Sequence, residues 1–197
     1  MMKTDIKKTV QSFHYLLTNV DKEGLTVLEL LKLLFLADRY CFRAHGRIIS
    51  FNKYCAMEYG PVPSLGKSLL NRDRRNVTLE EINYCKSYLQ MEYDHIKHPN
   101  FQMKVFPVKN ENSKSLTGLD KIFLNKALYT YDNVSDIVDY CHQLPEWKKY
   151  EHLLSQKRVK SLEMDFLDFL ENSNEVLEFD PKGLDDIEFV KKIYTTL

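Results

Sequence analysis

Residues 27–45 constrain the fold of this chain more than any other stretch. Val27, Leu28, Leu30, Leu31, Leu33, Leu34, Phe35, Ala37, Tyr40, Cys41, Phe42 and Ala44 cover most of the circumference of a helix wound at ~100° per residue. A helix that is apolar on so many sides has to be enclosed by other elements, so the segment predicts a central spine. Thr26 and Glu29 have capping-box spacing and set its start. Gly46 supplies the left-handed residue that stops it.

The polar residues of this helix are as informative as its apolar ones. Glu29, Lys32, Arg39 and Arg43 fall in one narrow sector, and such a charged stripe is ordinarily the solvated face of a helix. Asp38 lies opposite, with His45 near it. An unpaired carboxylate on that side is strongly unfavourable. Asp38 is therefore expected to be structural, accepting hydrogen bonds from the loop after Gly46, from His45 or from the Tyr59-Gly60-Pro61 turn.

Around the spine the periodicities predict further elements. Ile6, Val10, Phe13, Leu16, Leu17 and Val20 make one helical stripe, closed by the turn Asp21-Lys22-Glu23-Gly24. Residues 47–59 are a short strand or a loop, and Pro61 and Pro63 stop any helix across the next turn. Ser64 caps a helix to about Asn71, and a short element follows through Leu89. Phe101, Met103, Val105 and Val108 alternate as a strand, and 110–115 is a polar loop. Helices return after Ser115 or Thr117, over about 134–142, and from Pro145 onward, with Trp147 packing the last of these. The sum is a mainly α chain with a small β element, an α+β fold in a single compact domain around the central apolar helix. Residues 1–160 form that domain, and 161–197 an acidic amphipathic C-terminal extension.

Charge separates the same two parts. The net charge is zero, yet residues 1–160 hold 25 Lys and Arg against 18 Asp and Glu, and residues 161–197 hold 3 against 10. Complementary charge lets the tail fold back on the body, or lets it occupy or guard a partner-binding surface. The N-terminus lacks a signal core and the longest apolar run is Leu33–Ala37, so the expectation is a cytoplasmic protein with no membrane partner. Cys41, Cys55, Cys85 and Cys141 are read as free thiols.

Motifs for chemistry are sparse. His95 with His98, Cys41 with His45, and Cys141 with His142 lack the paired spacing of a closed zinc site, so no metal and no cofactor is expected. There is no G-x-S-x-G elbow and no glycine-rich phosphate cradle, and the chain is read as a non-enzyme. Lys32, Arg39, Arg43 and Arg47, with Lys67, Arg72, Arg74 and Arg75, support an alternative reading as a basic-patch nucleic-acid-binding or phage accessory protein.

Two blocks carry a more specific likeness. The first runs from Lys32 to Ser64 through Gly46, Ile48-Ile49 and Tyr59-Gly60-Pro61-Val62. The second is Cys141-His142-Gln143-Leu144-Pro145-Glu146-Trp147. Together, over about 10–155, they resemble the Panacea domain, a bacterial and phage domain best known as the antitoxin half of toxin–antitoxin pairs. The resemblance implies a mostly helical protein that neutralises a cognate protein toxin by direct binding; in some relatives a bacterial protease takes part. On that reading Arg39, Arg43, Arg47, Tyr59, Gly60 and Pro61 contact the partner, while Asp38, Gly46 and Trp147 hold the structure. Nucleic acid is then not the expected partner.

Overall fold

In a computed structural model, which describes residues 5–93, 103–109, 114–130, 134–156, 159–172 and 184–195, the apolar stretch is one helix, α2 (Val27–His45). Thr26 accepts from the Glu29 backbone N–H, the Glu29 carboxylate accepts from the Thr26 N–H, and Gly46 ends the helix at φ 63°. Residues 29–44 are buried without a break. The charged stripe is therefore not a solvated face: Glu29, Lys32, Arg39 and Arg43 are interior, because other elements close over every side of α2.

The enclosing elements come from the whole chain. Helix α1 (Ile6–Asn19) lies on one side with α3 (Ser64–Leu70). Helices α5 (Gly118–Thr130) and α6 (Val134–Gln143) cover another, and α7 (Pro145–Ser155) follows α6 after a single residue, Leu144. Thr117 and Asp120 exchange backbone and side-chain bonds at the start of α5, so Thr117 rather than Ser115 is the cap. Ser64 is the first residue of α3 and makes no cap bond; Pro63 precedes it, and the Ser64 hydroxyl lies 3.2 Å from Cys55 Sγ. Helix α4 (Leu79–Lys86) opens with a second capping box, Thr78 with Glu81.

Two small antiparallel sheets complete the fold. In one, β1 (Leu25–Thr26), β5 (Met103–Pro107) and β4 (Leu89–Tyr93) lie in the order β1-β5-β4, with Leu25 and Met91 flanking Val105. In the other, β2 (Tyr54–Met57) is central between β3 (Gly60–Pro63) and β6 (Leu162–Glu163). Strand β3 is an edge, where Pro61 and Pro63 can lack a backbone N–H without breaking a ladder. Phe101, His95, His98 and residues 110–113 lie outside the described residues.

The segment read as an extension enters the core. Met164, Phe169 and Leu170 are buried, and the 3₁₀ turn η1 (Phe166–Leu170) packs on α2. Phe169 makes edge-on contacts with Phe35, Phe42 and Tyr54, with ring centres 5.5–6.3 Å apart. Helix α8 (Leu184–Thr195) covers the end of α2, where Tyr194 donates to the Gly46 carbonyl at 2.7 Å.

Asp38 is satisfied by the loop after Gly46. Its Oδ1 accepts from the backbone N–H groups of Ile49 and Ser50 at 2.9 and 3.0 Å. Its Oδ2 accepts from the Ser50 hydroxyl and from Tyr54 Oη, the latter at 2.7 Å. Burial raises its pKa from 3.8 to about 6, although all four hydrogen bonds pull the other way. The folded pKa exceeds the unfolded one, so the stability contributed by this group is greatest in acid. It falls as the pH rises from about 4 to 6 and is constant above that. Asp38→Asn should flatten this part of a pH series of chemical denaturation. Asp38→Ala, which strips four buried donors of their acceptor, should cost about 3 kcal/mol or more.

Candidate functional site

The two blocks that stand far apart in the sequence meet beside α2. Strands β2 and β3 form a hairpin in which Met57 faces Gly60, leaving Glu58 and Tyr59 as its exposed tip. Gly60 closes the turn at φ 93°, and a Cβ there would lie 2.8 Å from Lys32 Nζ and 3.3 Å from Cys141 Cβ. Both the backbone and the space demand glycine.

The hairpin is held from two sides. Lys32, reaching out of the spine, donates to the Pro61 carbonyl at 2.7 Å. Trp147, in the first turn of α7, donates from Nε1 to the Met57 carbonyl at 2.9 Å. Its ring stacks on His142 at 4.0 Å and 19°. One residue earlier, Glu146 is fully buried and accepts from Arg39 Nε at 2.5 Å, which fixes α7 to the spine. The Pro145 helix start aims Glu146 and Trp147 together: proline at the first helical position is pre-set for the turn, and its missing N–H is not needed there.

The residues singled out from the sequence divide accordingly. Tyr59 is on the surface, 41 % exposed, at the hairpin tip; Gly60 and Pro61 are buried beneath it. Arg39 is enclosed by its pairing with Glu146. Arg43 reaches the other way and holds the tail, donating to the Phe169 and Glu171 carbonyls at 2.9 Å each and to Asn172 Oδ1 at 2.6 Å. Arg47 pairs with Asp120 Oδ1 at 2.7 Å, and Lys8 with Asp120 Oδ2 at 3.0 Å. Burial works against the Asp120 charge, but hydrogen bonds from Thr117, Arg47 and Lys8 outweigh it and hold the carboxyl below its usual pKa. The structure thus brings Lys32, Gly60-Pro61, Cys141-His142 and Glu146-Trp147 into one cluster, with Arg43 and Arg47 outside it.

Lys32 and Glu146 are the cluster members that periodicity did not single out as partners. A hint existed: both are charges in otherwise apolar surroundings, and buried charges have to be paired. Which charge pairs with which is not a property of spacing. The chemistry of the cluster is positional. Burial raises the Cys141 and Cys41 thiols to about 12 and Cys85 to about 11, so all three are protonated at neutral pH and are weak nucleophiles. Burial lowers the pKa of His142. All four cysteines are free, and no metal-holding group of three or more His, Cys, Asp or Glu occurs among the described residues. No helix among the described residues is long and apolar enough to cross a membrane.

The comparison with protein families is decisive. The model of the antitoxin SocA-like, Panacea domain matches residues 30–148. The chain belongs to this family. The matched span begins in α2 and ends one residue past Trp147, so it contains the spine, the hairpin and the α6–α7 elbow that clasps it. No curated protein and no solved structure shows significant similarity to the chain. The η1 turn and α8 lie beyond the matched Panacea span, although η1 shares its core.

Lys32 carries a measurable signature. Burial lowers its pKa from 10.5 to about 8. Between about pH 8 and 10.5 the unfolded chain keeps the proton and the folded chain gives it up, so folding stability should rise over that window. Lys32→Met should abolish the rise in a pH series of urea melts. An unchanged rise would mean that another group titrates there.

Proposed function

We propose that this Panacea protein is the antitoxin of a toxin–antitoxin pair and neutralises a cognate protein toxin by direct binding through the face carrying the β2–β3 hairpin tip. Family membership supports an antitoxin-type role. The observation that carries the choice of face is the tip itself: two adjacent exposed residues, Glu58 and Tyr59, on a hairpin whose backbone is bonded to Lys32 on one side and Trp147 on the other. A tyrosine held on a stiff support loses little conformational freedom on binding, which is why such residues dominate interface energetics.

In this reading Tyr59 makes the direct contact, and Gly60 and Pro61 fix its direction. Arg39 acts from beneath, by holding the elbow that anchors the hairpin. Arg43 and Arg47 act at a distance from the tip, holding the 169–172 segment and the start of α5 against the spine. Residues 1–160 are the antitoxin unit and 161–197 its acidic extension, of which η1 and α8 pack on the spine. Three cations of the supposed basic patch, Lys32, Arg39 and Arg43, are buried, which disfavours the nucleic-acid alternative. Delivery of the bound toxin to a bacterial protease is compatible with the same contact.

The test is co-expression with the protein encoded beside this chain. The wild type should relieve its toxicity and co-purify with it. Tyr59→Ala and Glu58→Arg, checked for an unchanged melting midpoint, should each weaken the complex by about 2 kcal/mol, roughly thirtyfold in Kd. Full protection by the folded double variant would move the contact elsewhere on the protein, and a harmless neighbour would remove the toxin reading.

A further inference from the structure

A second feature lies on the other side of the hairpin. Ser64, Lys67, Ser68 and Asn71 occur at i, i+3, i+4 and i+7 and form one polar face of α3, while Gly66, Leu69 and Leu70 face the core. Such a face is usually open to water. Here it lines a cleft of about 170 Å³ together with Met57 and Val62 of the hairpin, Asn76 and Ser161. That is the space of about five or six liquid waters.

The cleft holds an unusual cation. Lys67 is half-buried, and its Nζ donates to the thioether of Met57 at 3.2 Å, a weak acceptor. No carboxylate is within ion-pair range of it among the described residues. The Ser68 and Ser161 hydroxyls and the Asn71 amide likewise make no side-chain hydrogen bond among the described residues. One carboxylate lines the cleft, that of Asp73; Arg75 neutralises it with two bonds of 2.9 and 3.1 Å, and the Asn76 amide donates to it at 3.0 Å. Arg72 and Arg74 flank the same turn and are exposed.

We infer that this cleft is an oxyanion site that takes the phosphate group of a phosphomonoester, with Lys67 as its charge-bearing donor and the Ser68 and Ser161 hydroxyls and the Asn71 amide as neutral donors. Donors lining it from α3, from Asn71 and from Ser161 suit a group with three free oxygens better than a planar carboxylate. The surplus positive charge of Arg72 and Arg74 favours a dianion. The phosphate can come from a small molecule such as a nucleotide or from a phosphorylated side chain of a protein. The inference is independent of the antitoxin reading and neither stands nor falls with it.

The test is a titration of the full-length, isotope-labelled protein with inorganic phosphate at constant ionic strength, followed by amide shifts, with chloride as the reference. Saturable shifts confined to residues 64–76 and 161 are expected. Lys67→Met should weaken phosphate roughly tenfold, the equivalent of one lost charge-assisted bond. Lys53→Met, which alters a different cleft lined by Phe51, Tyr150 and Phe166, should leave phosphate binding unchanged. Tighter binding of adenosine monophosphate than of phosphoserine would assign the nucleotide source, and the reverse order the protein source. Shifts that do not saturate, that chloride reproduces, or that persist equally in folded Lys67→Met would overturn the proposal and leave the face as a solvated one.

Discussion

The structure depends on enclosing a helix that carries charge. Residues 29–44 of α2 are buried without interruption, and five of them, Glu29, Lys32, Asp38, Arg39 and Arg43, are acidic or basic. A buried charge without a partner destabilises a fold by several kcal/mol. Each therefore dictates what must lie beside it. Asp38 gathers the loop after Gly46 and the start of β2. Lys32 draws in the hairpin, Arg39 the α6–α7 elbow, and Arg43 the C-terminal segment. Glu29 is used locally, in the capping box and with Lys22.

These pairings stabilise less than they specify. Replacing a well-packed buried pair with apolar groups is often neutral, whereas removing one partner is costly. Their consequence here is geometric: apolar packing alone would let the hairpin and the elbow slide on a greasy helix, and directional bonds to Pro61, Met57 and Glu146 hold them in one register. On the function proposed above, such a surface offers a fixed edge to a protein partner, and stiffness at the hairpin tip is the property that matters.

The tail changes how the domain is viewed. The matched family span ends at residue 148, yet Phe169 fills a gap among Phe35, Phe42 and Tyr54, and Arg43 clamps the chain just beyond it. Acidic composition made this stretch look peripheral. Its apolar positions, Met164, Phe169 and Leu170, are what place it in the core; between them Asp165 stays exposed and Asp168 is half-buried against Lys149.

What the sequence determined by itself is whatever rests on neighbours along the chain. The Thr26–Glu29 capping box, the Gly46 stop, the Pro145 helix start and the enclosure of α2 all follow from residues within a turn or two of each other or from a helical period. The family likeness was legible for the same reason, since it rests on contiguous blocks at 32–64 and 141–147. What only the tertiary structure decided is partnership across distance. Lys32 with Pro61, Arg39 with Glu146, Arg43 with the 169–172 segment and Trp147 with Met57 join positions 29 to 129 residues apart. A charged stripe reads identically in sequence whether water or protein covers it, because helical spacing fixes the direction of a side chain and not what it meets. The folded chain resolved that ambiguity by burying the stripe and leaving Tyr59, which no period marks, at the surface.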